Sequence, residues 1–312
     1  MNVLGIDAGG TKTVCLLSDG DGRILSEARG PGANLQSAGE LELEKVLHHV
    51  MEMALGDSTT RPSAVCLGIA GVDREDDARL VQAIMRRISP GSRVLVVNDA
   101  LVALVAGAGA GPGIVVMSGT GSIAYGKDSR NRAARAGGWG HVIGDEGSRY
   151  WIGQEAIKAV VRAADGRGPR TRLTEQVLLH FGVRDAAALV HIVYDRDAPR
   201  RNVAAVCPVV QRAHDAGDAV ASQILERAAE ELTLAAGSVA SRLEMRGEEF
   251  PFVLAGGGFH AVPWLVGELG RRLVEVAPRC HVRPLTSEPA MGAVTLALAE
   301  SRGEASLPVY VE

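Results

Sequence analysis

The sequence predicts an α/β protein of two domains with related β-cores, and three observations predict it. Its 312 residues exceed the usual single domain and suffice to bury a sizeable core. Short buried strands alternate with helical stretches, the pattern of a parallel sheet flanked by helices. The opening arrangement of strand, glycine and threonine turn, strand, turn, strand then begins again beyond a glycine-rich connector at 107–113. A restart of this kind predicts two domains facing a cleft.

Taken in order, "VLGIDAGG", "TKTVCLLSDGDG" and "RILSEARG" read as three antiparallel strands joined by Gly and Asp turns. Helical periodicity comes next over 38–55, "SAVCLGIAG" is a buried strand, 75–88 is helical, and "SRVLVVND" is a second buried strand. The stretch "GIVVMSGTGSIAYGKDSRNRAARAGG" offers strand, turn, strand, turn and strand once more. From Ser148 to Arg242 the chain is almost wholly helical, with a polar break at "DGRGPR". "PFVLAGGG" returns to strand, 261–276 is an amphipathic helix, "HVRPL" a short strand, and 289–301 a closing helix that packs back on the first domain.

Composition narrows the function. A net charge of −4 and an aromatic content of 4% supply neither a phosphate-neutralising surface nor a stacking platform for bases, so nucleic-acid binding is not expected. Cys15, Cys66, Cys207 and Cys280 stand far apart without a CxxC pair, which argues against zinc or iron–sulfur ligation and for small buried side chains in a reducing compartment. The opening "MNVLGIDAGG" has no charged n-region or long apolar h-region, so a cytoplasmic protein is expected. Ala100 to Gly126 carries no charge, but Gly107, Gly109, Gly111, Pro112 and Gly113 would break a spanning helix, and no membrane association is expected.

Three glycine-rich turns each come after an apolar strand: Asp7 to Thr11, Ser118 to Ser122, and Ala255 to Gly258. Glycine permits backbone conformations in which successive amides converge on an anion, and Thr or Ser adds a hydroxyl donor. "GIDAGGTKT" places Thr11 where the lysine of a P-loop would follow Gly10, and a strand rather than a helix comes next, so the Walker reading fails. The chain also lacks GxGxxG at a strand-to-helix junction, which removes the dinucleotide fingerprint. Each turn taken singly reads equally as a tight turn; the recurrence after three buried strands points to phosphate.

Two acids close buried strands. Asp7 ends the first and Asp99 ends "VLVVND", and in open α/β sheets the carboxyl ends of strands border the ligand crevice. One can hold Mg²⁺, and the other can accept a proton from a substrate hydroxyl. Asp99 reads alternatively as the N-cap of the helix beginning "ALVALVAG". Asp145 and Glu146 stand before the helix "SRYWIGQEAIKAVVRA", where acids also suit the helix dipole. Yet Gly137, Gly138, Trp139 and Gly140 are poor material for a mere cap, since they cost order and add little packing. A polyhydroxylated ligand explains them better: glycine lets the backbone approach it, Trp139 offers an apolar wall, and Asp145 accepts hydrogen bonds from hydroxyls. His141 reads as a packed or capping histidine.

With "GIDAGGTKT", "NDA", "SGTGS", "GGWGHVIGDEGSRYWIG" and "LAGGG" in this order, the sequence resembles the N-acetylglucosamine kinase branch of the BadF/BadG/BcrA/BcrD group, within the actin, hexokinase and Hsp70 superfamily. The resemblance covers about residues 2–300, and its most specific element is "GGWGHVIGDEGS" joined to "YWIG". It implies two ribonuclease-H-like, actin-like ATPase domains around a central cleft, with mixed sheets and flanking helices. Residues 1–110, with the C-terminal segment 289–312 packing back, would form the first domain, and 111–288, with a helical insertion, the second. It implies ATP and Mg²⁺, with Gly9, Gly10, Thr11 and Lys12 as the first phosphate loop, Gly119, Thr120 and Gly121 as the second, and Gly256, Gly257 and Gly258 near the adenosine. Asp99 matches the family's catalytic base, Asp7 the acid near the metal, and Asn34, Gly138, Trp139 and Asp145 the residues that hold the sugar.

The activity that the resemblance implies is phosphorylation of the 6-hydroxyl of an amino sugar, N-acetylglucosamine first, by a homodimer. Glucosamine or N-acetylmuramic acid kinases stand on the same scaffold as alternatives. Activators of 2-hydroxyacyl-CoA dehydratases, another branch, need a cysteine pair bridging a dimer, and no close-spaced pair comes after "SGTGS". Repressor relatives of sugar kinases call for a helix-turn-helix extension or a zinc motif, for which the sequence offers no match.

Overall fold

The computed structural model describes residues 1–33, 39–56, 61–72, 75–194 and 199–311. Along the chain run β1 (Asn2–Ala8), β2 (Lys12–Asp19), β3 (Ile24–Pro31), α1 (Glu40–Leu55), β4 (Ala64–Ile69), α2 (Glu75–Ile88), β5 (Arg93–Asn98) and α3 (Asp99–Ala108). Then come β6 (Gly113–Ser118), β7 (Ser122–Lys127), β8 (Arg132–Gly137), α4 (Arg149–Ala164) and α5 (Leu173–Phe181). Next are α6 (Leu189–Val193), α7 (Pro199–Ala204), α8 (Cys207–Asp215) and the long α9 (Ala219–Arg242). The chain closes with β9 (Pro251–Ala255), α10 (Gly257–Ala261), α11 (Pro263–Val276), β10 (His281–Pro284), α12 (Ala290–Arg302) and β11 (Val309–Tyr310).

The first sheet has the order β3-β2-β1-β4-β5. β1 lies antiparallel to β2 and parallel to β4, so Asp7 stands opposite Val14 on one side and Gly68 on the other. Both β1 and β4 are buried almost throughout, as expected of parallel strands covered on both faces. The apolar residues of α1, Leu43, Val46, Leu47, Val50, Met51 and Ala54, recur at helical spacing and join the core of that sheet. The second sheet runs β10-β9-β6-β7-β8-β11, repeating the first order from β8 to β10 with β11 added at the edge. Recurrence of the third-second-first-fourth-fifth order is the ribonuclease-H-like pattern of actin-like ATPases.

By its internal contacts the chain divides into two compact units, Met1–Val115 with Tyr125–Ala133 and Leu285–Glu312, and Val116–Ala124 with Ala134–Pro284. Within the first, α12 lies on β1 and α3 through two glycines. A Cβ on Gly5 would come within 2.4 Å of the Val294 nitrogen, and one on Gly292 within 1.9 Å of the Val102 oxygen. Backbones approach that closely only where a side chain is missing.

Three details differ from the sequence expectations. Residues 257–276 form two helices, because Pro263 cannot donate to the preceding turn and instead starts α11. β11, two residues long, carries too little periodicity to be seen in sequence. The helix after "GDEGS" begins at Arg149 with Ser148 as its cap, Oγ accepting from the Trp151 N–H at 3.1 Å, so Asp145 and Glu146 are not its capping residues. No single helix among the described residues is long and apolar enough to cross a membrane.

Candidate active site

In the first unit the candidate residues gather at the end of β1. Asp7 is 8% exposed. Burial, with the negative charge of Asp99 adding to it, Lys12 opposing it and Glu288 adding a little more, pushes its carboxyl up to about 7. The turn after β1 is closed by the Gly9 N–H donating to the Lys12 carbonyl at 3.0 Å, and it is held by the Ala33 N–H donating to the Gly9 carbonyl at 3.1 Å. A Cβ on Gly32 would lie 2.4 Å from the Gly10 oxygen, so the segment after β3 crosses this turn only as glycine. Gly10, Thr11 and Lys12 are exposed, and a Cβ on Gly10 would meet nothing within 4 Å. The turn therefore presents backbone outward.

Lys12 does not stand alone. Its Nζ pairs with Glu288 Oε2 at 2.8 Å, and Arg29 Nη2 takes the other carboxylate oxygen at 2.8 Å. Glu288 and Arg29 escaped the sequence reading, since no short motif joins residues 259 positions apart. Asp99 is the first residue of α3 and is half-buried. The cap of that helix is Asn98, whose Oδ1 accepts from the Ala100 N–H at 2.7 Å, which corrects the alternative reading of Asp99 as cap. Asp7 and Asp99 are close enough for one charge to raise the other's pKa. Two hard oxygen donors of this kind fit Mg²⁺, which takes one or two carboxylates and completes its shell with water and phosphate. Among the described residues no three His, Cys, Asp or Glu side chains form a closed metal cage.

In the second unit three segments interlock around the Ser118–Ser122 turn. The Gly119 N–H donates to the Gly121 carbonyl at 2.8 Å, and the Arg149 N–H donates to the Gly119 carbonyl at 2.9 Å. Ser118 Oγ donates to the Gly147 carbonyl at 2.8 Å and Ser122 Oγ to the Glu146 carbonyl at 2.6 Å. The loop 137–148 is thus pinned to the turn by both serines. Gly256 and Gly258 complete the packing: Cβ atoms there would come within 2.4 Å of the Ser118 oxygen and 2.1 Å of its Oγ. Gly121, Gly256 and Gly258 are glycines because protein presses on them; Gly119 is the more open position, its nearest neighbour for a Cβ being the Gly121 oxygen at 3.8 Å. Thr120 lies between them, half-buried.

Asp145 is 4% exposed and adopts φ 62°, a left-handed backbone that costs a non-glycine residue of the order of 1 kcal/mol. Burial raises its pKa, against backbone N–H bonds from Ser122 and Gly140 and the positive charge of Arg200. A Cβ on Gly121 would sit 2.8 Å from its Oδ2. The carboxylate therefore bridges the loop to the turn. Gly138 has φ 73° and would place a Cβ 2.9 Å from the Ile123 side chain. Trp139 is 64% exposed, with Arg135 stacked over its ring at 4.9 Å, so its indole is offered outward. His141 packs edge-on against Tyr150, ring centroids 5.1 Å apart, and burial lowers its pKa. Asn34 lies outside the described residues.

All four cysteines are buried. Burial pushes Cys15 and Cys207 up to about 12 and Cys66 higher still, so these are neutral packing groups rather than thiolate ligands.

Two sheets of one strand order, with glycine turns at the ends of β1, β6 and β9, define an ATPase of the actin-like class. Within that class the chain belongs to the BadF/BadG/BcrA/BcrD ATPase family, whose model matches residues 4–297. It is 36% identical to the N-acetylmuramic acid/N-acetylglucosamine kinase of Clostridium acetobutylicum over 96% of this chain and 98% of that one. It is 33% identical to the N-acetyl-D-glucosamine kinase of Dictyostelium discoideum over 95% of this chain and 97% of that one. Among solved structures it resembles a Chromobacterium violaceum protein assigned as an N-acetylglucosamine kinase, with a TM-score of 0.78, 29% identity, and coverage of 95% of this chain and 98% of the other.

Proposed function

We propose that this chain is an ATP-dependent kinase that phosphorylates the 6-hydroxyl of an amino sugar, N-acetylglucosamine first, with Asp99 as the general base. The observation that carries the reading is the pairing of Asp7 and Asp99 at strand ends beside an outward-facing glycine turn, in a family of ATPases. Asp99 accepts the proton of the sugar hydroxyl as the hydroxyl oxygen bonds to the γ-phosphorus and the bond to ADP breaks, leaving sugar 6-phosphate and ADP. The turns Gly9 to Thr11, with Lys12, and Gly119 to Gly121 hold phosphate oxygens, the Gly9 and Gly119 amides closing the turns from within; Gly256 to Gly258 lie along the nucleoside. Gly138, Trp139, Asp145 and Asn34 hold the sugar. Mg²⁺, held by Asp7 through water or directly, supplies charge neutralisation on the phosphates when bound.

N-acetylmuramic acid is the second reading, favoured by the name of the Clostridium relative, which carries both sugars. The test is ADP release with a panel of N-acetylglucosamine, N-acetylmuramic acid, glucosamine, N-acetylmannosamine and glucose. Preference for an N-acetylated amino sugar supports the proposal. Absence of stimulation by any of the five overturns it, whether or not ATP binds.

A further inference from the structure

Arg149 comes directly after "GDEGS", at the start of α4. Its amide is tied to the Gly119 carbonyl at 2.9 Å, which roots it beneath the second phosphate turn. Its side chain then runs toward Gly257: a Cβ built there would lie 3.5 Å from Nη1 and 3.9 Å from Cδ, with no other neighbour within 4 Å. Gly257 is exposed and its φ needs no glycine, so what the missing side chain leaves open is the flank of this guanidinium.

Some arginines of the unit are matched to carboxylates, whereas Arg200 shares with Arg149 a buried Nε without an acceptor. Arg227 pairs with Glu155 at 3.1 Å, and Arg272 with Glu268 at 2.5 Å. Arg149 has no such partner among the described residues, and its Nε is buried without a hydrogen-bond acceptor. Its charge acts on the buried Cys207 thiol, which is neutral and supplies no counter-charge. A half-buried cation with an orphaned N–H is costly unless something anionic completes it. Arg149 also stands at the start of α4, a helix of 16 residues, where the positive end of the helix dipole favours an anion.

We propose that Arg149 is a phosphate-binding residue, its guanidinium contacting the polyphosphate of a nucleoside di- or triphosphate between the Gly119–Gly121 turn and Gly257. The identity of the anion rests on the kinase reading; the need for one rests on the unpaired guanidinium. The contact is charge-assisted and specific to phosphate, so it distinguishes ADP from adenosine.

The experiment is calorimetric titration of ADP with Mg²⁺, and separately of adenosine, into wild-type protein, Arg149→Met and Arg149→Lys, with thermal melting of each in the absence of nucleotide. Arg149→Met is expected to weaken ADP at least tenfold, leave adenosine within about twofold, and melt no lower than wild type, since a neutral side chain removes an unpaired buried charge. Arg149→Lys is expected to recover part of the ADP affinity, and the KM for ATP is expected to rise in parallel with the KM for sugar unchanged. Equal losses for ADP and adenosine, or an unaltered ADP affinity in both variants, overturn the proposal. Should wild-type protein bind ADP and Arg149→Met bind it with equal affinity, the role of Arg149 alone falls; should wild type bind neither nucleotide, the kinase reading falls with it.

Discussion

Asp7 illustrates how two facts legible in sequence combine into one that is not. Its position at a strand end and that of Asp99 are plain from the apolar runs before them; that the two charges interact, that Lys12 and Glu288 act on Asp7, and that Arg29 joins Lys12 on Glu288, depends on the tertiary fold. The raised pKa has a measurable consequence. An acid with an ordinary value near 3.8 that titrates at about 7 in the folded chain holds its proton more tightly when folded. Its contribution is complete below the unfolded value and is lost as pH rises to about 7. Asp7→Asn is therefore expected to melt higher than wild type, by a margin that widens from pH 4 to pH 7 and is constant above, as scanning calorimetry across that range would show. Asp99→Asn removes a charge that disfavours the Asp7 carboxylate, so this margin should shrink in the Asp99→Asn background. If Asp99 is the base, the same substitution lowers turnover roughly 10²–10⁴-fold while leaving ADP affinity within about twofold. A kcat near wild type would exclude it from that role.

At the level of elements, helices and strands with strong periodicity were readable almost to the residue, as in α2 at 75–88, whereas their contacts were not. Nothing local in "AMGAVTLALAE" tells that Gly292 meets the backbone of α3, or that Gly5 inside β1 makes room for Val294. Gly292→Ala is expected to destabilise by about 3 kcal/mol or more, because the atom that must give way is a backbone carbonyl. Gly267 and Gly270 in α11 meet nothing within 4 Å. Gly267→Ala is expected instead to stabilise by about 0.5–1 kcal/mol, from helix propensity and reduced freedom of the unfolded chain. Urea denaturation of both variants checks the opposite signs; a loss of similar size at both positions would mean that packing does not discriminate them.

For the whole molecule, ligand linkage is the general test. ADP with Mg²⁺ at a hundred times its dissociation constant should add about 2.7 kcal/mol to stability, visible as a rise in melting temperature that a chelator reduces. Failure of ADP to shift the melt at any concentration would contradict the family's chemistry in this chain. The sequence alone determined the α/β class, the repeated strand-turn-strand core, the family and the set of candidate residues, because these rest on period, turn chemistry and short motifs, all local along the chain. Tertiary structure decided what those residues meet: that Asn98 rather than Asp99 caps α3, that Asp145 is buried against Gly121, that Ser118 draws three segments together, and that Arg149 reaches Gly257 without a counter-ion among the described residues. Contacts between residues distant in sequence are set by strand order and close packing, which no local pattern encodes.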